Sequence, residues 1–145
     1  HLIRTIFEDI AHKRIIRNPT EKIKFKEKIL IAAGWKPGCS TDYDAVLLAK
    51  NFKSNSVINL SNIRKVYTKD PKKHKDAKPL DKISWKDFRD IVGNKWVPGS
   101  NYPFDPVASK LGEKLKLKVV IMNGTNLKNI DKYLNKQKFI GTIIK

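Results

Sequence analysis

The chain has 145 residues, 40% of them apolar, and 31 basic against 14 acidic side chains for a formal charge of +17. That is enough for one domain with a real core, and it makes a polyanion a partner to be weighed. With a single cysteine, Cys39, and three histidines without ligand spacing, internal disulfides and cysteine-based zinc clusters are excluded and no metal site is suggested; no apolar run reaches membrane length.

In chain order, Leu2, Ile3, Ile6, Phe7 and Ile10 fall on one helical face. The stretch Arg17-Asn18-Pro19-Thr20 breaks that pattern, and residues 21–28 alternate charge with Ile23 and Phe25 as a connector or edge strand. Lys28-Ile29-Leu30-Ile31-Ala32 reads as a buried strand, and Ala45-Val46-Leu47-Leu48-Ala49 as part of a helix reaching about Phe52. The loop between them, Trp35-Lys36-Pro37-Gly38-Cys39-Ser40-Thr41, lies where a strand's carboxyl end meets a helix amino end, a natural place for an anionic or hydroxyl-rich ligand. Ser40 and Thr41 are candidate caps, and Thr41 with Asp44 has capping-box spacing.

Further along, residues 57–60 read as a strand and Val66-Tyr67 as a brief one, followed by a lysine-rich loop from Asp70-Pro71 to Lys78. Ser84 with Asp87 opens a helix bearing Trp85, Phe88, Ile91 and Val92, which Gly93 ends. Residues 97–103 are irregular, and Asp105-Pro106 starts a helix whose stripe is Ala108, Leu111 and Leu115. A strand over 119–122, a helix striped by Leu127, Ile130 and Leu134, and a closing strand over 139–144 complete the pattern. Alternating strands and helices predict a single-domain, layered α/β sandwich with a mainly parallel sheet.

Ala33-Gly34-Trp35-Lys36-Pro37-Gly38-Cys39-Ser40-Thr41-Asp42 is followed in order by Asn59-Leu60-Ser61-Asn62, Val66-Tyr67-Thr68-Lys69-Asp70-Pro71, Phe104-Asp105-Pro106-Val107-Ala108 and Val119-Val120-Ile121-Met122-Asn123-Gly124. This series resembles the uridylate (UMP) kinases of the amino-acid kinase family, in their archaeal-type branch. The resemblance implies an amino-acid kinase-like fold lacking its N-terminal part, and an enzyme that phosphorylates UMP to UDP with ATP and Mg²⁺ in pyrimidine nucleotide synthesis. It implies that Trp35, Lys36, Pro37, Gly38, Cys39, Ser40 and Thr41 line the UMP site and that Ser61, Asn62, Tyr67 and Asp70 bind ATP. Asp42 and Asp105 match the family's acidic organisers, which orient cationic groups around the transferring phosphoryl. Related enzymes commonly form hexamers, so the resemblance implies a homo-oligomer; with no membrane-length run and no secretory-signal pattern at the start, the cytoplasm is the expected compartment.

Two departures stand out. Arg64-Lys65 replaces the usual Asp-Gly pair, and the front of the chain carries neither the family's glycine-rich loops nor its lysine. The chain therefore reads as the C-terminal portion of a longer protein, and is expected to be inactive alone. Two alternatives remain: a family member with another small phosphate or carboxylate acceptor, and a basic nucleic-acid-binding module contacting phosphates first through Lys72-Lys73-His74-Lys75. Against the second, the cations are mostly lysine, and Trp35, Trp85 and Trp96 are not interleaved with them as a stacking platform requires. No membrane partner is expected.

Overall fold

The computed structural model describes residues 1–95 and 102–145, so most of the irregular segment predicted over 97–103, with Trp96, Pro98, Gly99, Ser100 and Asn101, lies outside the described residues. The chain divides into two compact units, His1–Ser54 and Asn55–Lys145.

In the first unit the predicted opening helix forms as α1 (Leu2–Ile6), without a side-chain cap at His1. Its apolar face does not enter a core: Leu2, Ile3, Ile6, Phe7 and Ile10 are all exposed. The buried strand expected over 28–32 does not form either. Only two isolated parallel bridges are made, Ala11 with Ile29 and Ile16 with Ala32. The reason is a register break. His12 N–H donates to the Ile29 carbonyl and Ile16 N–H to the Ile31 carbonyl, so four residues on one side oppose two on the other and the ladder cannot continue. Asn51 ties this irregular region down from the next helix, donating through Nδ2 to the carbonyls of Pro19 (3.0 Å) and Glu21 (2.7 Å).

That helix is α2 (Thr41–Asn51), and Ser40 is its N-cap, with Oγ accepting from Tyr43 N–H at 3.1 Å. The predicted Thr41–Asp44 capping box is not used, because the Asp44 carboxylate turns away to another donor described below. At the carboxyl end Lys53 adopts φ 54°. Its N–H bonds to the Lys50 carbonyl while Ser54 N–H bonds to that of Ala49, the paired bonds of a Schellman ending.

The second unit contains β1 (Ser56–Ser61), β2 (Val66–Tyr67), β3 (Pro79–Leu80), β4 (Lys82–Ile83), α3 (Trp85–Val92), α4 (Pro106–Lys114), β5 (Lys118–Asn123), α5 (Leu127–Leu134) and β6 (Thr142–Ile144). Four strands form one sheet in the order β1-β5-β6-β4, and β2 pairs with β3 in a separate two-stranded ribbon. The β1–β5 and β4–β6 pairs are parallel and β5–β6 is antiparallel, so the sheet is mainly parallel as expected. Its central strand is β5, where Val119, Val120, Ile121 and Met122 are completely buried, the continuous apolar run of a strand covered on both faces.

Helices α3 and α4 start where local chemistry predicts. Ser84 Oγ accepts from Asp87 N–H at 3.1 Å, and Asp105 accepts from Ala108 N–H at 2.6 Å with Pro106 at the first helical position. Trp85, Phe88 and Val92 are buried, and Trp85 Nε1 donates to the Leu117 carbonyl at 2.8 Å. The indole lies so close to Gly112 that a Cβ there would sit 2.8 Å from its ring, which explains a glycine inside α4.

Two expectations at the carboxyl end are corrected. Leu127 and Leu134 are exposed at 74% and 62%, and the buried residue of α5 is Asn129. Asn129 Nδ2 donates to the Ile140 carbonyl and its Oδ1 accepts from Ile140 N–H, both at 2.7 Å. The side chain thus takes the backbone groups that a strand over 139–141 would have used, and β6 begins only at Thr142.

Candidate functional site

The predicted acceptor loop, residues 35–41, leads directly into α2. Lys36-Pro37-Gly38-Cys39 is a tight turn closed by Cys39 N–H on the Lys36 carbonyl at 3.2 Å, with Gly38 at φ 83°. Proline second and a left-handed glycine third are what a type II turn requires, and a Cβ on Gly38 would meet nothing within 4 Å, so backbone conformation alone selects glycine. Lys36 Nζ lies 4.1 Å from the centre of the Trp35 ring, a cation–π contact. Cys39 is a free thiol, partly accessible.

The loop's entry is fixed by Asp44, which the sequence pattern offered only as a capping-box partner of Thr41. Asp44, only 5% exposed, accepts Trp35 N–H on Oδ2 at 2.9 Å across nine residues. Its other oxygen, Oδ1, has no hydrogen-bond partner among the described residues. A second acid in the helix's first turn, two residues after Asp42, was the available signal. Both carboxylates stand at the positive end of α2, where the helix dipole favours them.

In the second unit, two of the four residues matched to ATP binding, Ser61 and Asn62, stand at the carboxyl ends of β1 and β5. Ser61 and Asn123 are register partners, Gly124 N–H donates to the Ser61 carbonyl at 2.9 Å, and Asn123 Nδ2 approaches the Asn62 carbonyl at 3.4 Å. Asn59, on the same face of β1 as Ser61, reaches the Pro103 carbonyl at 3.4 Å and so links this edge to the segment entering α4. Asp105, 4% exposed, caps that helix as described. The edge of a parallel sheet next to a helix start is the usual place for a ligand in α/β folds.

Tyr67 lies apart from that edge, on the β2–β3 ribbon opposite Pro79. Asp70 is exposed, and its Oδ1 accepts Lys72 N–H at 2.9 Å while its carbonyl accepts from Lys73 and His74, so it organises the turn that opens the lysine-rich loop. The replaced pair has a definite local role: Lys65 forms an ion pair with Asp81, whose carboxyl is held below its ordinary range by that hydrogen bond and charge. Arg64 stays exposed. Among the described residues no group of three or more His, Cys, Asp or Glu side chains comes together as a metal cage. No helix among them is long and apolar enough to cross a membrane.

The chain is 33% identical, over 99% of its length, to the uridylate kinases of Sulfurisphaera tokodaii and Methanococcus aeolicus, covering 65% and 64% of those proteins. It superposes on the crystal structure of uridylate kinase from Archaeoglobus fulgidus with a TM-score of 0.80 at 28% identity, covering 99% of this chain and 67% of that one. The chain thus spans about two thirds of the length of these relatives. Residues 1–123 match the amino acid kinase family, and the chain belongs to that family.

Proposed function

We propose that the complete protein is a uridylate kinase, transferring the γ-phosphoryl group of ATP to UMP to give UDP. The observation that carries this reading is similarity to uridylate kinases along 99% of the chain, together with a strand-edge and helix-start arrangement suited to phosphate-bearing ligands. In this reading Trp35, Lys36, Pro37, Gly38, Cys39, Ser40 and Thr41 line the UMP site. Ser61, Asn62 and Asp70 hold ATP, and the Tyr67 ring packs on adenine. Asp42 and Asp105 orient cationic groups around the phosphoryl in flight, because this chemistry needs in-line positioning and charge neutralisation more than a strong base. Mg²⁺ arrives on the ATP phosphates as part of the substrate, as is usual for an ion that keeps several waters and few protein ligands.

The two units act in this proposal as parts of one amino acid kinase domain, in a homo-oligomeric cytoplasmic enzyme. Further phosphate-handling segments come from the rest of a longer polypeptide, so the 145 residues alone do not turn over. The test is a UMP phosphorylation assay with ATP and Mg²⁺ on this chain and on a form extended to the relatives' length. The expected result is turnover only in the extended form, reduced about 10²-fold or more by Asp42→Asn with UMP affinity little changed. An extended protein that binds ATP and ignores UMP would overturn the acceptor assignment. Unchanged turnover in Asp42→Asn would remove that residue from the catalytic set.

A further inference from the structure

The β2–β3 ribbon carries Tyr67 on very short strands, with Val66 completely buried beneath it. Each strand is two residues long, and an isolated pair of this size has no stability of its own in water. At its outer register Tyr67 faces Pro79, which has no N–H to give. The ribbon is separate from the four-stranded sheet. Only Asp81 separates β3 from β4, the Asp81 carbonyl accepts Ile143 N–H at 2.9 Å, and the Thr142 side chain hydrogen-bonds both strands of the ribbon. Thr142 is completely buried in β6, fixed there by antiparallel pairing with Ile121. Its hydroxyl accepts Val66 N–H at 2.8 Å and donates to the Leu80 carbonyl at 2.5 Å.

A hydroxyl has one proton to donate and lone pairs to accept, and here the proton and one lone pair are used on the two strands of the ribbon. The contact therefore fixes both the position and the tilt of the ribbon against β6. The neighbouring Lys65–Asp81 ion pair stands at the same corner, but Asp81 is largely exposed, and such pairs contribute little in water. The buried hydroxyl therefore supplies side-chain hydrogen bonds from β6 to both ribbon strands, beside the backbone bond from Ile143 to Asp81 and the burial of Val66.

We propose that Thr142 is a positioning residue of the donor-nucleotide site, setting through Val66 where the adjoining Tyr67 ring presents itself. This rests on the assignment of Tyr67 to adenine above. It commits the closing strand to ATP affinity, although Thr142 itself touches no substrate.

The experiment compares Thr142→Val, which keeps the shape and removes the hydroxyl, with Thr142→Ser, which keeps the hydroxyl, in the extended protein. Losing one hydrogen-bonding anchor is expected to raise the KM for ATP about fivefold to tenfold in Thr142→Val, with kcat at saturating ATP and the KM for UMP within about twofold of the parent. Thr142→Ser is expected to restore the parent KM. Equal changes in both KM values, or an unaltered KM for ATP in a folded Thr142→Val protein, would overturn the proposal. Where Thr142→Val does not fold, Thr142→Cys, whose thiol is a weak donor and acceptor, replaces it with the same expected direction. Amide hydrogen exchange at Val66 supplies a readout independent of turnover: protection is expected to fall in the variant lacking the hydroxyl and to survive in Thr142→Ser. Loss of protection at Val66 without a change in ATP affinity overturns the link to the nucleotide. A parent protein that neither binds ATP nor phosphorylates UMP overturns the kinase reading instead, with the Val66 exchange still reporting whether the anchor holds the ribbon.

Discussion

In Asn55–Lys145 a central strand buried on both faces, two capped helices and an indole wedged against Gly112 make one continuous apolar core. In His1–Ser54 regular structure is confined, among the described residues, to α1 and α2, and the path between them is held by two isolated bridges and a few specific polar bonds. Both regions carry residues matched to substrate binding, yet they secure them differently. The sheet edge is held by continuous parallel pairing of β1 with β5 from Ser56–Lys118 to Ser61–Asn123. The loop over 35–41 is positioned because Asp44 holds Trp35 N–H and Ser40 caps α2, while Asn51 grips Pro19 and Glu21 earlier in the chain.

The sharpest way to break this contrast is a core truncation in the second unit. Phe88 is completely buried, with its ring edge-on to Trp85 at 6.2 Å between centroids. Phe88→Ala is expected to lower unfolding free energy by about 3–5 kcal/mol, measured by urea denaturation, because it removes apolar burial and leaves a cavity beneath an indole that cannot collapse into it. A loss below about 1 kcal/mol would mean that this core is not close-packed.

Asp44→Ala should behave differently. One hydrogen bond to a carboxylate is lost, but so is a buried oxygen without a partner, and the two effects oppose each other. The expected stability loss is about 1 kcal/mol, with a much clearer local effect: Cys39, the chain's one thiol, should react several-fold faster with a thiol reagent as the loop loosens. An unchanged Cys39 rate would show that the turn at Pro37-Gly38 is sufficient by itself to order the loop.

The same contrast explains what could be read from the residues and what could not. The starts of α3 and α4 were legible because a cap is a local signal: Ser84 with Asp87, and Asp105 with Pro106, specify a helix start within four residues. The run Val119-Val120-Ile121-Met122 was equally plain as a central strand. Illegible were the features that depend on distant partners. The Thr142 hydroxyl meets Val66 across 76 residues, and the Asn129 amide takes the backbone of Ile140 only because the chain returns there. The Leu127 and Leu134 periodicity therefore suggested the wrong inward face of α5. The apolar run 28–32 misled for a related reason, since a strand needs a partner in continuous register and residues 12–16 do not supply one.

The smallest expected effect concerns a feature shared by both regions. Lys53, Lys116 and Lys136 each follow a helix with φ between 52° and 57°, a conformation that strains any residue with a Cβ. In α4 and α5, as in α2, paired bonds complete the ending: Lys116 N–H to the Glu113 carbonyl with Leu117 N–H to that of Gly112, and Lys136 N–H to that of Tyr133 with Gln137 N–H to that of Lys132. Glycine is the usual residue at this position, and here lysine stands three times. Replacing any one of them by glycine should stabilise the protein by about 0.5–1 kcal/mol, because relief of the left-handed strain exceeds glycine's greater entropy loss on folding. The high positive charge offers a competing explanation, since every such change also removes one cation. Lysine-to-alanine substitution at the same positions separates them, because it removes the charge and keeps the Cβ. Gains with glycine and none with alanine, measured by thermal unfolding at low and high salt, assign the effect to backbone conformation; equal gains that vanish in high salt assign it to charge repulsion instead. The strain argument also predicts equal gains at Lys53 in the loosely bonded unit and at Lys116 beside the packed core, because left-handed strain is a property of one residue and its Cβ, whatever surrounds it.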